Sequence, residues 1–154
     1  MRVSVIGGSA VDGAERETAY QLGVRLAERD HVVVCGGLGG VMAAVCEGAR
    51  TVGGHTIGIL PGTDPSEANE YVETAVATGM GHARNALVVM NGEAVVAVDG
   101  GGGTLSEIGF SFVFDRPVAG LATHAVAGVY PCDTPAEAVD YVERAVADDT
   151  RSDS

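Results

Sequence analysis

The stretch EAVVAVDGGGGTLSEIGFSF, Glu93 to Phe112, sets four consecutive glycines, Gly100 to Gly103, between two apolar stretches. Glycine loses more backbone freedom on ordering than any other residue, so such a run is either a flexible linker or a tightly specified turn. A linker has polar, structureless flanks. Here one flank is a continuous apolar strand, Ala94 to Val98, and the other an apolar helix reaching to about Phe114. The run is a strand-to-helix turn.

The same theme recurs along the chain. Val3 to Ile6 is an apolar strand stopped by Gly7 and Gly8, and Ala19, Leu22 and Leu26 then recur at helical spacing within residues 14–29. A second strand, His31 to Cys35, meets the turn Gly36 to Gly40 and a helix to about Val52. HTIGILPG is a third strand closed by Pro61 and Gly62, and Tyr71 to Ala77 reads as another. A helix is expected from about Gly81, with Ala86, Val89 and Met90 turned to the core. Beyond the glycine run, RPVAGLA carries a sixth strand, Val129 and Tyr130 suggest a seventh, and Thr134 caps a last helix through Val146. Strands that are continuous apolar runs alternating with helices imply a mainly parallel sheet of six or seven strands. Helices cover both faces: a Rossmann-like αβα sandwich. One domain, residues 1–147, is expected, followed by an acidic disordered tail, residues 148–154.

Composition narrows the function. Hydrophobic residues make up 46% and aromatics 5%, so Val, Ala, Leu and Ile must build the core. No apolar run approaches the ~20 residues of a membrane span and no signal peptide precedes Val3, which leads to the expectation of a soluble, cytoplasmic protein. Cys35, Cys46 and Cys132 show neither a disulfide framework nor zinc-ligand spacing. All nine basic residues are Arg and the net charge is −12, a balance suited to concentrated salt and hence to a halophilic source. A GC-rich genome accounts equally for the missing Lys. Without Lys there is no Schiff-base lysine and no P-loop lysine. The acidic balance argues against a nucleic-acid partner.

In open parallel sheets, ligands bind outside the carboxyl ends of the strands, where three glycine turns are expected here. The amides of Gly100 to Gly103 and Thr104, at a helix start, suit an anion, most simply a phosphate. TLSE also fits a capping box in which Thr104 and Glu107 merely close the helix end. Gly8 and Ser9 follow the first strand. Gly37, Gly39, Gly40 and Met42 form either a second close-approach surface or a tight helix–strand packing. GGSAVDG and GGLGGVM lack the GxGxxG order, and no acidic residue ends the second strand, so NAD is disfavoured. There is no GxSxG elbow. HARN places Arg84 near a helix start, where it could grip a carboxylate or phosphate or simply be solvated.

In this order, GGLGGVM (Gly36 to Met42), GILPG (Gly58 to Gly62), ARN (Ala83 to Asn85) and GGGGTLSE (Gly100 to Glu107) resemble the lonely-guy superfamily of Rossmann-like nucleotide-binding proteins, long misnamed lysine decarboxylases. The likeness is nearest to its small archaeal and bacterial branch and to the related molybdenum-cofactor carrier proteins. It spans Val3 to about Leu121. Phosphoribohydrolases of that superfamily cleave the N-glycosidic bond of nucleoside 5′-monophosphates through a PGGxGTxxE motif and an upstream Arg-Lys pair. The resemblance implies Glu107 and Arg84 as catalytic residues and Gly100, Gly101, Gly103 and Thr104 as the phosphate turn. Asp99 stands where the motif has Pro, and Asn85 where it has Lys; both departures bear on hydrolysis rather than on fold or nucleotide binding. The resemblance also implies a small phosphate-bearing ligand, either a nucleotide or molybdenum cofactor, with no other cofactor required. A homodimer or larger homo-oligomer follows from it too, formed through the apolar helix Ile108 to Phe114.

Overall fold

The computed structural model describes residues 1–153. Seven strands, β1 (Arg2–Gly7), β2 (Val32–Cys35), β3 (Thr56–Leu60), β4 (Thr74–Ala77), β5 (Ala94–Val98), β6 (Val118–Leu121) and β7 (Val129–Cys132), form one sheet. Five helices accompany it: α1 (Gly13–Glu28), α2 (Val41–Thr51), α3 (Asn85–Met90), α4 (Gly102–Val113) and α5 (Pro135–Ser152). Every strand pair is parallel, in the order β4-β3-β2-β1-β5-β6-β7. This is the expected Rossmann-like αβα sandwich.

Alternation along β5 explains the three layers. Its side chains point to opposite faces in turn. Ala94, Val96 and Val98 join the core under α1, α2 and α5, while Val95 and Ala97 join the second core with Val88, Val89 and Ile108 from α3 and α4. All five residues of β5 are buried, which is why it reads as an unbroken apolar run. The edge strand β4 alternates between exposed and half-buried positions. Buried Ile6, Leu22, Leu26 and Ile108 each contribute roughly 1.5–3 kcal/mol of hydrophobic stabilisation. No helix among the described residues is long and apolar enough to cross a membrane.

The chain runs outward from β1 to β4, then returns to place β5 on the other side of β1. This reversal opens a crevice between the carboxyl ends of β1 and β5. Gly7 pairs with Val98, so Gly8 and Asp99 emerge side by side.

Three expectations change in detail. The segment expected as one helix from Gly81 is a 3-10 turn, Gly81–Arg84, followed by the six-residue α3. In that short helix Val88 and Val89 face the core, whereas Met90 is 44% exposed. Through residues 148–154, expected to be disordered, α5 continues to Ser152, where Thr150 and Ser152 hydroxyls donate to carbonyls one turn back; Ser154 lies outside the described residues. Elongating an existing helix avoids the nucleation cost, so polar composition alone does not end it.

Candidate functional site

At the β1/β5 crevice lies a cavity of about 410 Å³. Four segments close on it: the end of β1 with its turn, the stretch from Gly36 to Met42, the Gly81–Asn85 segment and the first two turns of α4. A larger open groove of about 1010 Å³, bounded by Arg116, Tyr130, Tyr141 and Arg144, lies away from it and includes Pro117, which precedes the amino end of β6. Only the smaller cavity occupies the position where parallel sheets take ligands.

Of the residues expected at the site, Gly8, Ser9 and Met42 line this cavity on one side, and Arg84 and Glu107 on another. Gly101, Gly102, Gly103 and Thr104 form its floor at the start of α4. Gly37, Gly39, Gly40 and Gly100 are not part of the lining. Gly40 has φ +64, and a Cβ there would stand 2.2 Å from the Gly8 carbonyl oxygen. That oxygen accepts from Val41 N–H at 3.0 Å, so Gly40 packs α2 onto the β1 turn, while Gly36 and Leu38 of the same glycine turn line the cavity. Gly36, Leu38, His82 and Asn85 also line the cavity, with Val5, Ile6 and Gly7 of β1; of these, Asn85 entered the sequence reading only as a departure from a Lys.

The glycine run shapes the start of α4. Gly101 is its N-cap, with no side-chain cap hydrogen bond, and the helix begins at Gly102. The capping box that TLSE also fits is therefore absent: both residues lie inside the helix, Thr104 and Glu107 each three positions further along than a box requires. Helix-start amides have no intrahelical acceptor. At Gly101 and Gly102 an added Cβ would meet nothing within 4 Å, so the backbone here borders open space.

Freed from a capping role, Glu107 lies in the cavity wall, 8% exposed. Among the described residues, neither Glu107 nor Arg84 has an ion-pair partner within 4.0 Å. Burial pushes the Glu107 carboxyl up to about 8, and the nearby Arg84 charge only partly opposes it. Arg84 is lowered by burial, an effect opposed by the attraction of Glu107. A guanidinium remains charged under such conditions. It is held by carbonyls: Arg84 Nε donates to Ile59 at 2.9 Å and Nη2 to Gly36 at 3.4 Å, while Nη1 donates to Asn85 Oδ1.

Asn85 extends that arrangement to the floor. Its Nδ2 is 3.3 Å from Ser106 Oγ, which donates to the Gly103 carbonyl at 2.6 Å. A fixed cation, a carboxyl whose pKa burial raises and unclaimed helix amides thus converge on one cavity. Asp99 supplies a negative charge at the rim, since its Oδ2 would lie 3.1 Å from a Cβ built on Gly8.

Residues 1–147 match the family model described as the SLOG cluster4 family. The chain belongs to that family. A protein of Archaeoglobus fulgidus, itself uncharacterised, is 40% identical over 142 residues, 92% of this chain and 93% of the relative. A probable cytokinin riboside 5′-monophosphate phosphoribohydrolase of Oryza sativa subsp. japonica is 37% identical over 112 residues, covering 70% of this chain and 49% of that enzyme. This family member therefore spans about half the length of the plant enzyme. Among solved structures, the molybdenum cofactor binding protein of Rippkaea orientalis superposes with a TM-score of 0.88 at 29% identity, over 94% of this chain and 96% of the other. The resemblance in the sequence motifs and these similarities point to one superfamily.

Proposed function

We propose that the β1/β5 cavity binds a nucleotide-like small molecule and seats its phosphate on the amides of Gly102, Gly103 and Thr104. The observation that carries this reading is the helix start at Gly101, which has no side-chain cap and faces a cavity containing a fixed guanidinium. A helix N-terminus carries about half a unit of positive charge, and Arg84 adds a full one. Glu107, protonated at neutral pH, does not repel an anion. Similarity to a phosphoribohydrolase and to a molybdenum cofactor binding protein supports the ligand class, because the first name specifies a riboside 5′-monophosphate and the second a small bound cofactor.

A second reading, N-glycosidic hydrolysis, is favoured by the unpartnered carboxyl of Glu107. With the 5′-phosphate on the amides, water would attack C1′ of the ribose as the carbon–nitrogen bond breaks. The bonding electrons leave with the base, which takes up a proton. Glu107 gives that proton, the resulting carboxylate stabilises positive charge on the ribose, and it takes back the proton that the attacking water sheds as the C1′ hydroxyl forms. Arg84, held rigidly by three acceptors, has N–H groups left to orient the ligand. Asn85 and Asp99 distinguish this site from an Arg-Lys and Pro arrangement, and simple carriage of the ligand requires none of the hydrolytic steps.

Incubation of the purified protein with AMP, with mass spectrometry of any copurifying ligand, separates the readings. Release of adenine and ribose 5-phosphate, reduced ~10²-fold or more in Glu107→Gln, establishes hydrolysis. A tightly held phosphate-bearing molecule without turnover establishes carriage. Failure to bind any phosphate-bearing molecule rejects both. The same proposal extends to assembly: Leu105, Phe112 and Val113 on α4, with Met90 on α3, form an exposed apolar stripe suited to a second copy of the chain. Light scattering should give a dimer or larger closed assembly; a monomer mass at micromolar concentration rejects this.

A further inference from the structure

The connection from β6 to β7 lies outside the cavity lining, yet it reaches back onto the glycine turn. Immediately after β6, Ala122 adopts a left-handed conformation with φ +50, and the chain turns sharply. Thr123 Oγ1 then donates to the Asp99 carbonyl at 2.7 Å. His124 Nε2 lies 3.0 Å from the Gly101 carbonyl oxygen, which can only accept, so that nitrogen carries the proton. These two carbonyls belong to alternate peptides of one turn.

The geometry has a direct consequence for the amides. In a planar trans peptide, the carbonyl and the N–H that follows it point to opposite sides. Holding the Asp99 carbonyl sets the direction of Gly100 N–H, and holding the Gly101 carbonyl sets that of Gly102 N–H. Gly102 lines the cavity. A run of four glycines offers little resistance to peptide rotation, because glycine occupies both halves of φ space at little steric cost. Some external constraint must then select one orientation. Two donors from the β6–β7 connection, placed on the outer side of the turn, provide it.

We propose that Thr123 and His124 are positioning residues of the anion site: Thr123 holds the 99–100 peptide and so fixes the path on which the glycine turn enters α4, and His124 holds the 101–102 peptide with the Gly102 N–H toward the ligand. This inference rests on the phosphate-binding reading given above. It adds that affinity for the phosphate is set partly by a connection that does not touch the ligand. The Gly101 carbonyl also accepts from Leu105 N–H at 3.0 Å, so His124 reinforces an existing restraint and the Thr123 contact is the stronger lever.

The test is calorimetric titration of the intact protein with ribose 5-phosphate and, separately, with adenosine, which lacks the phosphate. Thr123→Val removes the hydroxyl at nearly constant shape and Thr123→Ser retains it. His124→Ala removes the ring nitrogen and His124→Gln restores an N–H at similar reach; His124 is partly exposed, so these variants leave the core untouched. Ribose 5-phosphate affinity should fall roughly five- to tenfold in Thr123→Val and about threefold in His124→Ala, the scale of losing one hydrogen bond, and return in Ser and Gln. Adenosine affinity should remain at the wild-type value in every variant. Wild-type protein that does not bind ribose 5-phosphate removes the phosphate site, and this inference with it. Wild-type protein that binds while all variants bind equally well overturns the positioning role alone. A parallel loss of adenosine affinity, or a loss not rescued by Ser and Gln, reassigns the two residues to general bracing and also overturns it.

Discussion

Two helix starts flank the β1/β5 crevice, and they are closed in opposite ways. At α1, Asp12 is the N-cap: its Oδ1 accepts from Glu15 N–H at 2.8 Å, while Glu15 Oε2 accepts from Asp12 N–H at 3.1 Å. This is a complete capping box, which satisfies the helix end with the protein's own carboxylates. At α4 the corresponding position is Gly101, and nothing caps it. The difference teaches how one fold separates stability from binding. An N-terminus filled internally contributes to folding, whereas one left open is available to an external anion. Capping residues are worth about 1 kcal/mol each, so leaving α4 uncapped forgoes stability comparable to a sizeable fraction of a small domain's margin.

The comparison can be broken most forcefully by converting the second start into the first. Gly101 has φ −115, a Cβ there would meet nothing within 4 Å, and an Asp at this position can cap α4. Gly101→Asp should weaken ribose 5-phosphate binding ~10³-fold, because a carboxylate would occupy the amides and repel the phosphate. The melting temperature should rise slightly. Unchanged binding in a folded Gly101→Asp protein would mean that the α4 amides do not hold the ligand.

Glu107 sharpens the contrast, since a carboxylate that caps nothing is a liability when ionised. Below its ordinary value of 4.5, the group is protonated whether the chain is folded or unfolded. Between pH 4.5 and about 8 the unfolded chain releases the proton while the folded protein keeps it, so stability falls as pH rises; above about 8 the deficit is constant. Glu107→Gln removes this titration. Denaturant unfolding of the ligand-free protein should show the Gln variant gaining several kcal/mol on wild type between pH 4 and pH 9, about 1.4 kcal/mol for each pH unit by which the relaxed site keeps the proton beyond pH 4.5. A constant difference across that range would show that the folded protein does not hold the Glu107 proton.

The smallest effect belongs to the closed start. Asp12→Ala should cost about 1 kcal/mol of stability and leave ribose 5-phosphate affinity unchanged, as read by unfolding and titration. Loss of binding in that variant would erase the distinction between the two helix ends.

The fold was legible because the strands of a doubly covered sheet are unbroken apolar runs, as in Ala94–Val98, and because glycine turns punctuate them. The site was legible in part. Glu107 and Arg84 are placed together as the motif resemblance implies, but TLSE also satisfied the pattern of a capping box. Only the backbone separates the two: glycine carries weak helical preference, so a helix starting at Gly102 leaves little trace in the sequence. Gly37 and Gly40 looked equivalent to Gly101 and Gly102, yet both adopt positive φ, and added Cβ atoms would press on Leu60 and the β1 turn. Composition does not distinguish a glycine that accommodates the chain from one that admits a ligand. Nor could the contacts of Thr123 and His124 be seen in advance, because they join segments 23 or 24 residues apart through backbone carbonyls.

A crystal of this protein soaked with ribose 5-phosphate tests the central claim most directly. The phosphate oxygens should lie about 3 Å from the amide nitrogens of Gly102, Gly103 and Thr104, with the ribose toward Glu107 and Arg84. A phosphate bound only elsewhere, as in the groove beside Arg116 and Arg144, would contradict the assignment of the uncapped helix start as the ligand site.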